Sequence, residues 1–327
     1  MDVLRARVEQ AIAERVFPGC VIGIMWRDGN RCVLPVGRLT YESDAPLVSE
    51  DTIYDVASVT KSIPVASLAS GLIASDRIKL DDKVKKYVPE LQRDFGATVG
   101  DLLAYRVRGE YAMSEFHGKD AVHIEEEIMR RGFAAPPSAD SSYTNLPAFL
   151  LGLIIERVAD DSLDHLAERQ FFKPLGMTRT SFMRALLGDV APTEIDASGE
   201  VRGIVHDESA RAFARADRAV GHAGLFSTAP DVLAFLEALL SGEYPHIVEH
   251  AQQGLGWQTS GDFLGSHASR GVFGKTGFTG TSVVCDIERG LGLVILSNRT
   301  HPHRPPNTSA ITAFRRGVVN ILYAQGL

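Results

Sequence analysis

The chain has 327 residues, of which 45% are hydrophobic and 23% are charged. This is enough apolar material for one large domain, or for two closely packed lobes, with a sizeable core. The net charge of −7 argues against a nucleic-acid partner, because binding to phosphates requires a basic face.

The three cysteines, Cys20, Cys32 and Cys285, are too few and odd in number for a disulfide framework. An Asp-Gly hairpin turn at 28–29 would set Cys32 opposite residues near 25–27, away from Cys20. We therefore expect all three thiols to be small core residues in a reducing compartment.

The N-terminal segment lacks the apolar stretch of a secretory signal and instead has the pattern of an amphipathic helix to about Val16. No run of about 18 apolar residues is present, so no membrane span is expected. These features predict a cytoplasmic protein, or one whose leader is missing from this chain.

Strands begin after Phe17-Pro18-Gly19, which is expected to end the first helix. Cys20–Trp26 and Arg31–Gly37 are β-rich and flank the turn, which predicts an antiparallel hairpin. A further extended segment, 52–56, leads towards Ser58.

The middle of the chain is mostly helical in pattern. A helix is expected from Lys61 to about Asp76, kinked or starting late because Pro64 lacks a backbone donor. Loops are expected at 104–120 and 185–220. The other predicted helices are a short one near 80–84, Val99–Leu103, His123–Arg131, Ala148–Val158, Leu163–Phe172 and Val232–Leu240, the last with a capping box that starts at Thr228.

The C-terminal part returns to strands. Three are predicted, at Arg270–Lys275, Thr281–Ile287 and Leu291–Ser297, before a terminal helix over about Thr308–Tyr323. The expected fold is α+β and sandwich-like, with an antiparallel sheet flanked by the N- and C-terminal helices and an inserted helical lobe. In this single domain the α/β lobe would comprise about 1–57 and 245–327, and the helical lobe about 62–240.

Ser58 and Lys61 are a candidate nucleophile and base, three residues apart at the predicted start of a helix. A hydroxyl there would feel the positive end of the helix dipole, and an amine on the same face could take its proton. Serine and lysine at this spacing are common by chance, so partners elsewhere must support the assignment.

Two later stretches supply such partners. Tyr143 and Asn145 precede a buried helix, and the motif at 275–277, Lys-Thr-Gly, ends a strand before a Gly-rich turn. Taken singly, Tyr143 is explained by packing, Asn145 by helix capping and the lysine by an exposed strand end. Their order, with a helical lobe between them, favours a functional site.

Together these motifs resemble those of the serine β-lactamase and penicillin-binding-protein superfamily, in particular its class C-like branch of β-lactamases, D-peptidases and carboxylesterases. The resemblance covers nearly the whole chain. It rests on Ser58-Val59-Thr60-Lys61, Tyr143-Thr144-Asn145 and Lys275-Thr276-Gly277, with support from the stretches at 171–177 and 221–228.

The resemblance implies that Ser58 becomes acylated while Lys61 and Tyr143 share the proton transfers. Lys275, if it converges on the site, would favour phenolate at Tyr143 and disfavour a second ammonium at Lys61. Asn145 would orient Lys61 and a substrate amide.

The substrate would lie along the last motif. Gly277 would allow close approach of a peptide-like ligand as an added strand. The backbone N–H groups of Ser58 and Phe278 would form the oxyanion hole. Lys275 and Thr276 would hold a substrate carboxylate, where there is one.

Two departures from the family pattern bear on the reaction. Many esterase-like members have histidine where this chain has Lys275, so lysine favours a carboxylate-bearing substrate. No Ser-Asp-Asn motif with a matching downstream glutamate is present, so Tyr143 is the better candidate for activating the hydrolytic water.

The other motifs in the sequence give weaker indications of function. The lysine of Gly274-Lys275-Thr276 is not in a phosphate loop, because Ser269 stands where a glycine is needed. The histidines at 301 and 303 are more typical of a loop than of a metal site. The segment 206–208, His-Asp-Glu, either lines the cleft or is a solvated loop, and His222 is expected to hold a turn behind the site.

We therefore predict a serine hydrolase that cleaves an ester or amide through acyl-Ser58, with no metal or cofactor. A D-amino-acid peptide or β-lactam and a short-chain ester both remain possible substrates. The missing export signal favours the ester, and Lys275 favours the peptide. The alternative is a catalytically silent binding or scaffold protein.

Overall fold

The computed structural model describes residues 1–183 and 189–324. Its strands are β1 Gly19–Trp26, β2 Arg31–Gly37, β3 Tyr54–Asp55, β4 Ser181–Phe182, β5 Glu194–Asp196, β6 Gly199–Val201, β7 Leu225–Ser227, β8 Val272–Thr276, β9 Ser282–Asp286 and β10 Leu291–Ser297. Its α-helices are α1 Asp2–Ala13, α2 Ser67–Ala74, α3 Val84–Tyr87, α4 Val99–Leu103, α5 Ala121–Arg131, α6 Leu146–Ala159, α7 Leu163–Ala167, α8 Glu208–Ala214, α9 Ala229–Leu240, α10 Pro245–Gln252 and α11 Ser309–Ala324.

Both ends of the chain build one five-stranded antiparallel sheet, in the order β2-β1-β10-β9-β8. The first and last strands pair directly, with Cys20 opposite Ser297 and Trp26 opposite Leu291. The predicted α+β class and the antiparallel sheet are confirmed. Because β8 lies at one edge of the sheet, one side of the strand that carries Lys275 and Thr276 has no neighbouring strand in the sheet.

The sheet is covered on both faces, which explains why β1 is apolar along its whole length. Ile22 on one face packs in a cluster with Phe314 and Val318 of α11. Val21 on the other face belongs to the larger cluster that extends into the helical middle. Alternate residues of one strand thus join two separate cores.

The helix predicted from Lys61 to about Asp76, with a kink or a late start caused by Pro64, does start late, at Ser67. Residues Ala57–Lys61 form a 3₁₀ turn, Ser62–Ala66 a π-turn and only α2 is α-helical. Ile63, next to Pro64, has non-helical dihedral angles. The missing N–H of Pro64 explains why a regular helix starts only after it.

Several other predicted boundaries need correction. α1 ends at Ala13 rather than near Val16, the short helix expected near 80–84 is instead α3, and α10 was not predicted.

The segment 185–220, expected to be irregular, contains β5, β6 and α8, while its residues 185–188 lie outside the described part. The segment 104–120 includes a 3₁₀ turn, Met113–Phe116. Additional 3₁₀ and π turns lie at Asp262–Leu264 and Glu168–Phe172.

The cysteines are free. Cys32 pairs with Ile24, one residue earlier than the predicted 25–27. Cys20 and Cys285 are buried, but Cys32 is only half-buried, so the prediction of three core thiols is wrong for Cys32.

The N-terminus of α9 has the predicted cap in part. The Thr228 hydroxyl accepts the Asp231 N–H. The Asp231 carboxylate, however, accepts hydrogen bonds from Thr180 and from the Arg179 N–H instead of closing a capping box.

One stretch in the described part, Ala57–Ala74, is long and apolar enough to pass a membrane-span test, whereas the sequence analysis expected none. In the fold, 72% of that window is buried, which is also what the core segment of a globular protein shows.

Candidate active site

Ser58 and Lys61 lie on the 3₁₀ turn, not at an α-helix N-terminus as predicted. A 3₁₀ turn has three residues per turn, so side chains three apart eclipse each other. Lys61 Nζ accordingly donates to Ser58 Oγ at 2.7 Å and to the His222 carbonyl at 2.6 Å. The lysine is 1% exposed, and both of these acceptors are neutral.

A buried carboxylate anchors the turn that carries Ser58. Asp55 accepts the N–H of Ala57 and the N–H of His206, both at 2.8 Å. Ala57 has a positive φ of 48°, a conformation that the bond to Asp55 helps to hold. Burial raises the pKa of Asp55 to about 6, even though the two backbone donors act to lower it.

Lys275 converges on the same region from β8. Its Nζ donates to the Tyr105 hydroxyl at 3.2 Å and lies 4.6 Å from the ring centroids of both Tyr105 and Tyr143. The side chain is fully buried, and burial, together with the nearby Lys61, holds the pKa of Lys275 well below its usual range. Lys275 therefore contacts the two tyrosines and does not line the open cleft.

Tyr143 presents its ring to both amines. It is 51% exposed, and Lys61 Nζ lies 5.3 Å from its centroid. Within residues 1–183 and 189–324, its hydroxyl has no hydrogen-bond partner. The structure thus brings the tyrosine to the lysines but does not show its phenol oxygen bonded to Ser58 or Lys61.

Tyr105 is a site residue that the sequence analysis missed. It is buried against Tyr143, with ring centroids 5.2 Å apart, and burial raises its pKa well above the usual range for a phenol. It lies in the segment 104–120, which has no hydrophobic period, so no sequence signal pointed to it.

Asn145 was expected to cap α6 or to orient Lys61, but it bonds a different residue. Its Nδ2 donates to Asp207 Oδ2 at 3.1 Å, and its side chain makes no capping bond to α6. In the described part of the chain it forms no hydrogen bond with Lys61. The segment 206–208 therefore reaches the cleft, which resolves the choice between a cleft wall and a solvated loop.

Gly277 is required by packing inside the protein. A Cβ at this position would lie 2.1 Å from Thr281 Oγ1 and 2.5 Å from the Val56 carbonyl oxygen. Thr281 donates to that same carbonyl at 2.9 Å, and Thr279 donates to the Asp55 carbonyl at 2.7 Å. The turn after β8 is thus bonded to the backbone just before Ser58, so the close approach predicted for a substrate is made by the protein itself.

The outer edge of β8 is only partly covered. Gly274 exchanges two backbone hydrogen bonds of 2.9 Å with Gln258. Alternation along the strand directs the N–H and C=O of Thr276 to that same edge, where no described residue pairs with them. The N–H groups of Ser58 and Phe278 likewise have no acceptor among the described residues, so all of these groups are free for a ligand.

A cleft with two adjoining parts, of about 360 and 400 Å³, opens over Ser58. Both parts are lined by Ser58, Tyr143, Asn145, Asp207 and Phe278.

One wall of the cleft is aromatic. Phe278 is 45% exposed and stacks on the buried His206 ring, with centroids 5.8 Å apart. Burial lowers the pKa of His206 to about 4, so this imidazole is neutral at pH 7. The Phe278 ring thus packs on an uncharged imidazole, while the guanidinium groups of Arg299 and Arg304 lie 5.0 and 5.9 Å from its centroid.

The other end of the cleft is lined by two arginines, Arg299 and Arg315, and also by Asp262. Arg299 donates to the Phe278 and Asn307 carbonyls, and Arg315 donates to the Gly277 carbonyl. Neither guanidinium has a carboxylate partner within the described ranges. Burial and, to a smaller degree, the charge of Arg299 lower the pKa of Arg315 to about 9.

With the fold and these contacts in place, comparison with known proteins identifies the class. The Beta-lactamase family matches residues 4–315, and the chain belongs to that family. The predicted β-lactamase-like serine hydrolase is confirmed at this level.

Three individual proteins that resemble this chain are 28% identical to it or less. A protein of Escherichia coli (strain K12), named "Putative D-alanyl-D-alanine carboxypeptidase", is 28% identical over 315 residues, covering 78% of this chain and 72% of that protein. The D-alanine carboxypeptidase AmpC from Burkholderia cenocepacia has a TM-score of 0.73 at 21% identity, with 97% and 98% of the two chains covered. EstCE1, "a hydrolase with promiscuous acyltransferase activity", has a TM-score of 0.74 at 19% identity, with 97% of each chain covered.

Proposed function

We propose that this protein cleaves an amide or ester through an acyl-enzyme on Ser58, and that the leaving group of its substrate carries a carboxylate. The observation that carries the proposal is the 2.7 Å contact between Lys61 Nζ and Ser58 Oγ. A nucleophile and a buried amine at this distance are the pair that acyl transfer requires.

In the first step neutral Lys61 takes the Ser58 proton as Oγ attacks the carbonyl carbon. The resulting oxyanion accepts hydrogen bonds from the free N–H groups of Ser58 and Phe278. Lys61 then returns the proton to the leaving nitrogen or oxygen, and the acyl group stays on Ser58. In the second step water attacks the carbonyl carbon of the acyl-Ser58 ester, the bond from that carbon to Oγ breaks, and the proton lost by water passes to Oγ, which releases the acid and restores Ser58.

Lys61 must be uncharged to act as the base. Lys275 lies close enough for its pKa to be lowered by Lys61. Two ammonium groups in one water-poor site disfavour each other. This interaction lowers the pKa of Lys275, and a neutral Lys275 adds no second positive charge beside the Lys61–Ser58 pair.

The two arginines at one end of the cleft support a substrate whose leaving group carries a carboxylate. Arg299 and Arg315 border the same space as Thr276, whose backbone is free to pair with an extended ligand. An anion there would neutralise two guanidinium groups that have no carboxylate partner in the described residues. The names of the Escherichia coli and Burkholderia cenocepacia relatives agree with a leaving D-alanine.

A short-chain ester is the second candidate. The part of the cleft on the far side of Ser58 has apolar lining residues, Tyr111, Met113, Leu146 and Phe278, beside the charged Asp207, Glu208 and Arg304. The apolar residues suit an uncharged acyl group. The hydrolase and acyltransferase activities named for EstCE1 agree with this candidate.

The test uses a matched pair of substrates, a short peptide ending in D-alanyl-D-alanine and its C-terminal amide, with p-nitrophenyl acetate as the simple ester. We expect a mass adduct on the wild type and none on Ser58→Ala, and cleavage of the free acid at least ten-fold faster than that of the amide. Equal rates on the peptide pair would support the ester as substrate. The absence of both adduct and turnover with every probe would support a silent scaffold.

A further inference from the structure

The two N–H groups that would bind the oxyanion, those of Ser58 and Phe278, belong to segments far apart in the sequence. Ser58 follows the short strand β3, and Phe278 lies in the turn after β8. An oxyanion hole works only when both donors already point at the place where the negative charge will form. Asp55, the last residue of β3, is bonded to both segments.

Asp55 uses its side chain and its backbone for these bonds. Its carboxylate accepts the Ala57 N–H through Oδ1 and the His206 N–H through Oδ2, both at 2.8 Å. Its carbonyl oxygen accepts the Thr279 hydroxyl at 2.7 Å. Ala57 directly precedes one of the two oxyanion donors, and Thr279 directly follows the other.

The bond to His206 reaches Phe278 by a second route. The His206 ring stacks on the Phe278 ring, with centroids 5.8 Å apart and an angle of 26° between the planes. One oxygen of the Asp55 carboxylate therefore holds the turn of the nucleophile. The other oxygen holds the residue that packs against the ring of the second donor.

The charge of Asp55 lowers the stability of the fold. The residue is 2% exposed and forms no ion pair within the described part of the chain. Burial raises its pKa to about 6, although the two backbone donors and Arg211 lower it, and Asp207 raises it further. Since the pKa of an unfolded aspartate is about 3.9, stability decreases as the pH rises from there through the folded value. A buried charge with such a cost is typical of functional sites.

We propose that Asp55 is a positioning residue, which through its carboxylate and its carbonyl sets the separation of the Ser58 and Phe278 N–H groups. It lines neither part of the cleft, so it acts through the residues next to the two donors. This inference rests on the proposed acyl-enzyme function and adds the device that shapes its oxyanion hole.

Asp55→Asn removes one of the two acceptors and keeps the shape of the side chain. An amide has a single oxygen, so its nitrogen must face either the Ala57 N–H or the His206 N–H. Two donors that face each other repel, and the segment concerned would move. The first orientation would displace the Ser58 N–H, and the second would displace the ring against Phe278.

The experiment compares p-nitrophenyl acetate with its thiono analogue, in which sulfur replaces the carbonyl oxygen. Sulfur is larger and accepts weaker hydrogen bonds, so donors placed for an oxyanion discriminate against it. The ratio of the two kcat/KM values, divided by the ratio of the uncatalysed hydrolysis rates, should favour the oxygen ester in the wild type. Asp55→Asn should lower this ratio about ten-fold or more.

Asp231→Asn is the matched control. Asp231 is a second buried carboxylate with a raised pKa, and burial is the main cause there too. It accepts the Arg179 N–H and the Thr180 hydroxyl, each at 2.8 Å, and it lines neither part of the cleft. This substitution should lower the melting temperature but change the ratio by less than about two-fold.

A second pair of variants tests the inference where Asp55→Asn does not fold. Thr279→Val removes the hydroxyl that bonds the Asp55 carbonyl and should lower the ratio roughly three-fold or more. Thr279→Ser keeps a hydroxyl and should keep the ratio of the wild type.

The outcomes separate this inference from the proposed function. A ratio that stays unchanged in folded Asp55→Asn, because both rates fall by the same factor, overturns the inference. Where that variant does not fold, an unchanged ratio in Thr279→Val overturns it. Acylation of Ser58 in the wild type by p-nitrophenyl acetate keeps the proposed function intact in both cases. A wild type that neither ester acylates overturns the inference and the proposed function together.

Discussion

Two buried lysines meet at this site in different surroundings. Lys61 bonds a hydroxyl and a backbone carbonyl, at 2.7 and 2.6 Å. Lys275 has one phenol oxygen at 3.2 Å and two aromatic ring faces. Lys61 therefore touches the nucleophile, whereas Lys275 touches only the groups around it.

In the proposed mechanism Lys61 transfers the proton, and Lys275 affects the site only through its charge and its contacts with the tyrosines. The amine that must exchange a proton has the nucleophile within hydrogen-bond distance. The other amine lies in an almost apolar environment, where burial and the first lysine lower its pKa. Each lysine can be tested by the same substitution, to methionine, which keeps an unbranched side chain as far as Cε and removes the amine.

Lys61→Met should have the largest effect. Acylation of Ser58, measured as the burst with p-nitrophenyl acetate, should fall by about a thousand-fold or more, because removing one member of a nucleophile–base pair costs nearly as much as removing both. Lys85→Met, an exposed lysine, serves as the matched control. A decrease of less than ten-fold would show that another group takes the proton.

The sequence predicted the parts of the site that lie on regular elements. β8 and the hairpin have clear periods and turn signals, so Lys275 was predicted at the end of a strand with Gly277 in the turn after it, while convergence on Ser58 was expected only from the family resemblance. The edge position of β8 follows from the pairing of both chain ends, which antiparallel strands at each terminus suggested.

The remaining contacts depend on loops whose paths have no local signal. Tyr105 and Asp207 come from segments without hydrophobic period, and each reaches the cleft only through tertiary packing. His222 was expected to hold a turn, but its carbonyl bonds Lys61, which no pattern of side chains can predict. The 3₁₀ turn under Ser58 replaced the expected α-helix because Pro64 delays the helix.

Lys275→Met should slow the reaction less than Lys61→Met does, and it should stabilise the folded protein. We expect kcat/KM to fall by about ten- to a hundred-fold, because Lys275 acts indirectly through its neighbours. The free energy of unfolding at pH 7 should rise on the order of 1–2 kcal/mol, since a buried amine without a carboxylate partner is replaced by an apolar side chain.

The pH dependence of that stability difference tests its cause. The pKa of Lys275 is lower in the folded state than in the unfolded chain, where it is about 10.4. Its unfavourable contribution is therefore absent above that value and grows as the pH falls through it. Urea unfolding should show a smaller gain from Lys275→Met at pH 9.5 than at pH 7, and an equal gain at both would assign the effect to packing.

Tyr105→Phe should have the smallest effect of the three. It removes the one oxygen that Lys275 contacts but leaves both ring faces, so we expect kcat/KM to fall only a few-fold. Because a buried donor loses its acceptor, the free energy of unfolding should decrease by about 1 kcal/mol. Tyr111→Phe is the matched control for stability, since the Tyr111 hydroxyl is buried without a partner in the described residues and its removal should be neutral or stabilising. If both substitutions change stability equally, the contact between Tyr105 and Lys275 contributes nothing, and the ring faces alone hold the second lysine in place.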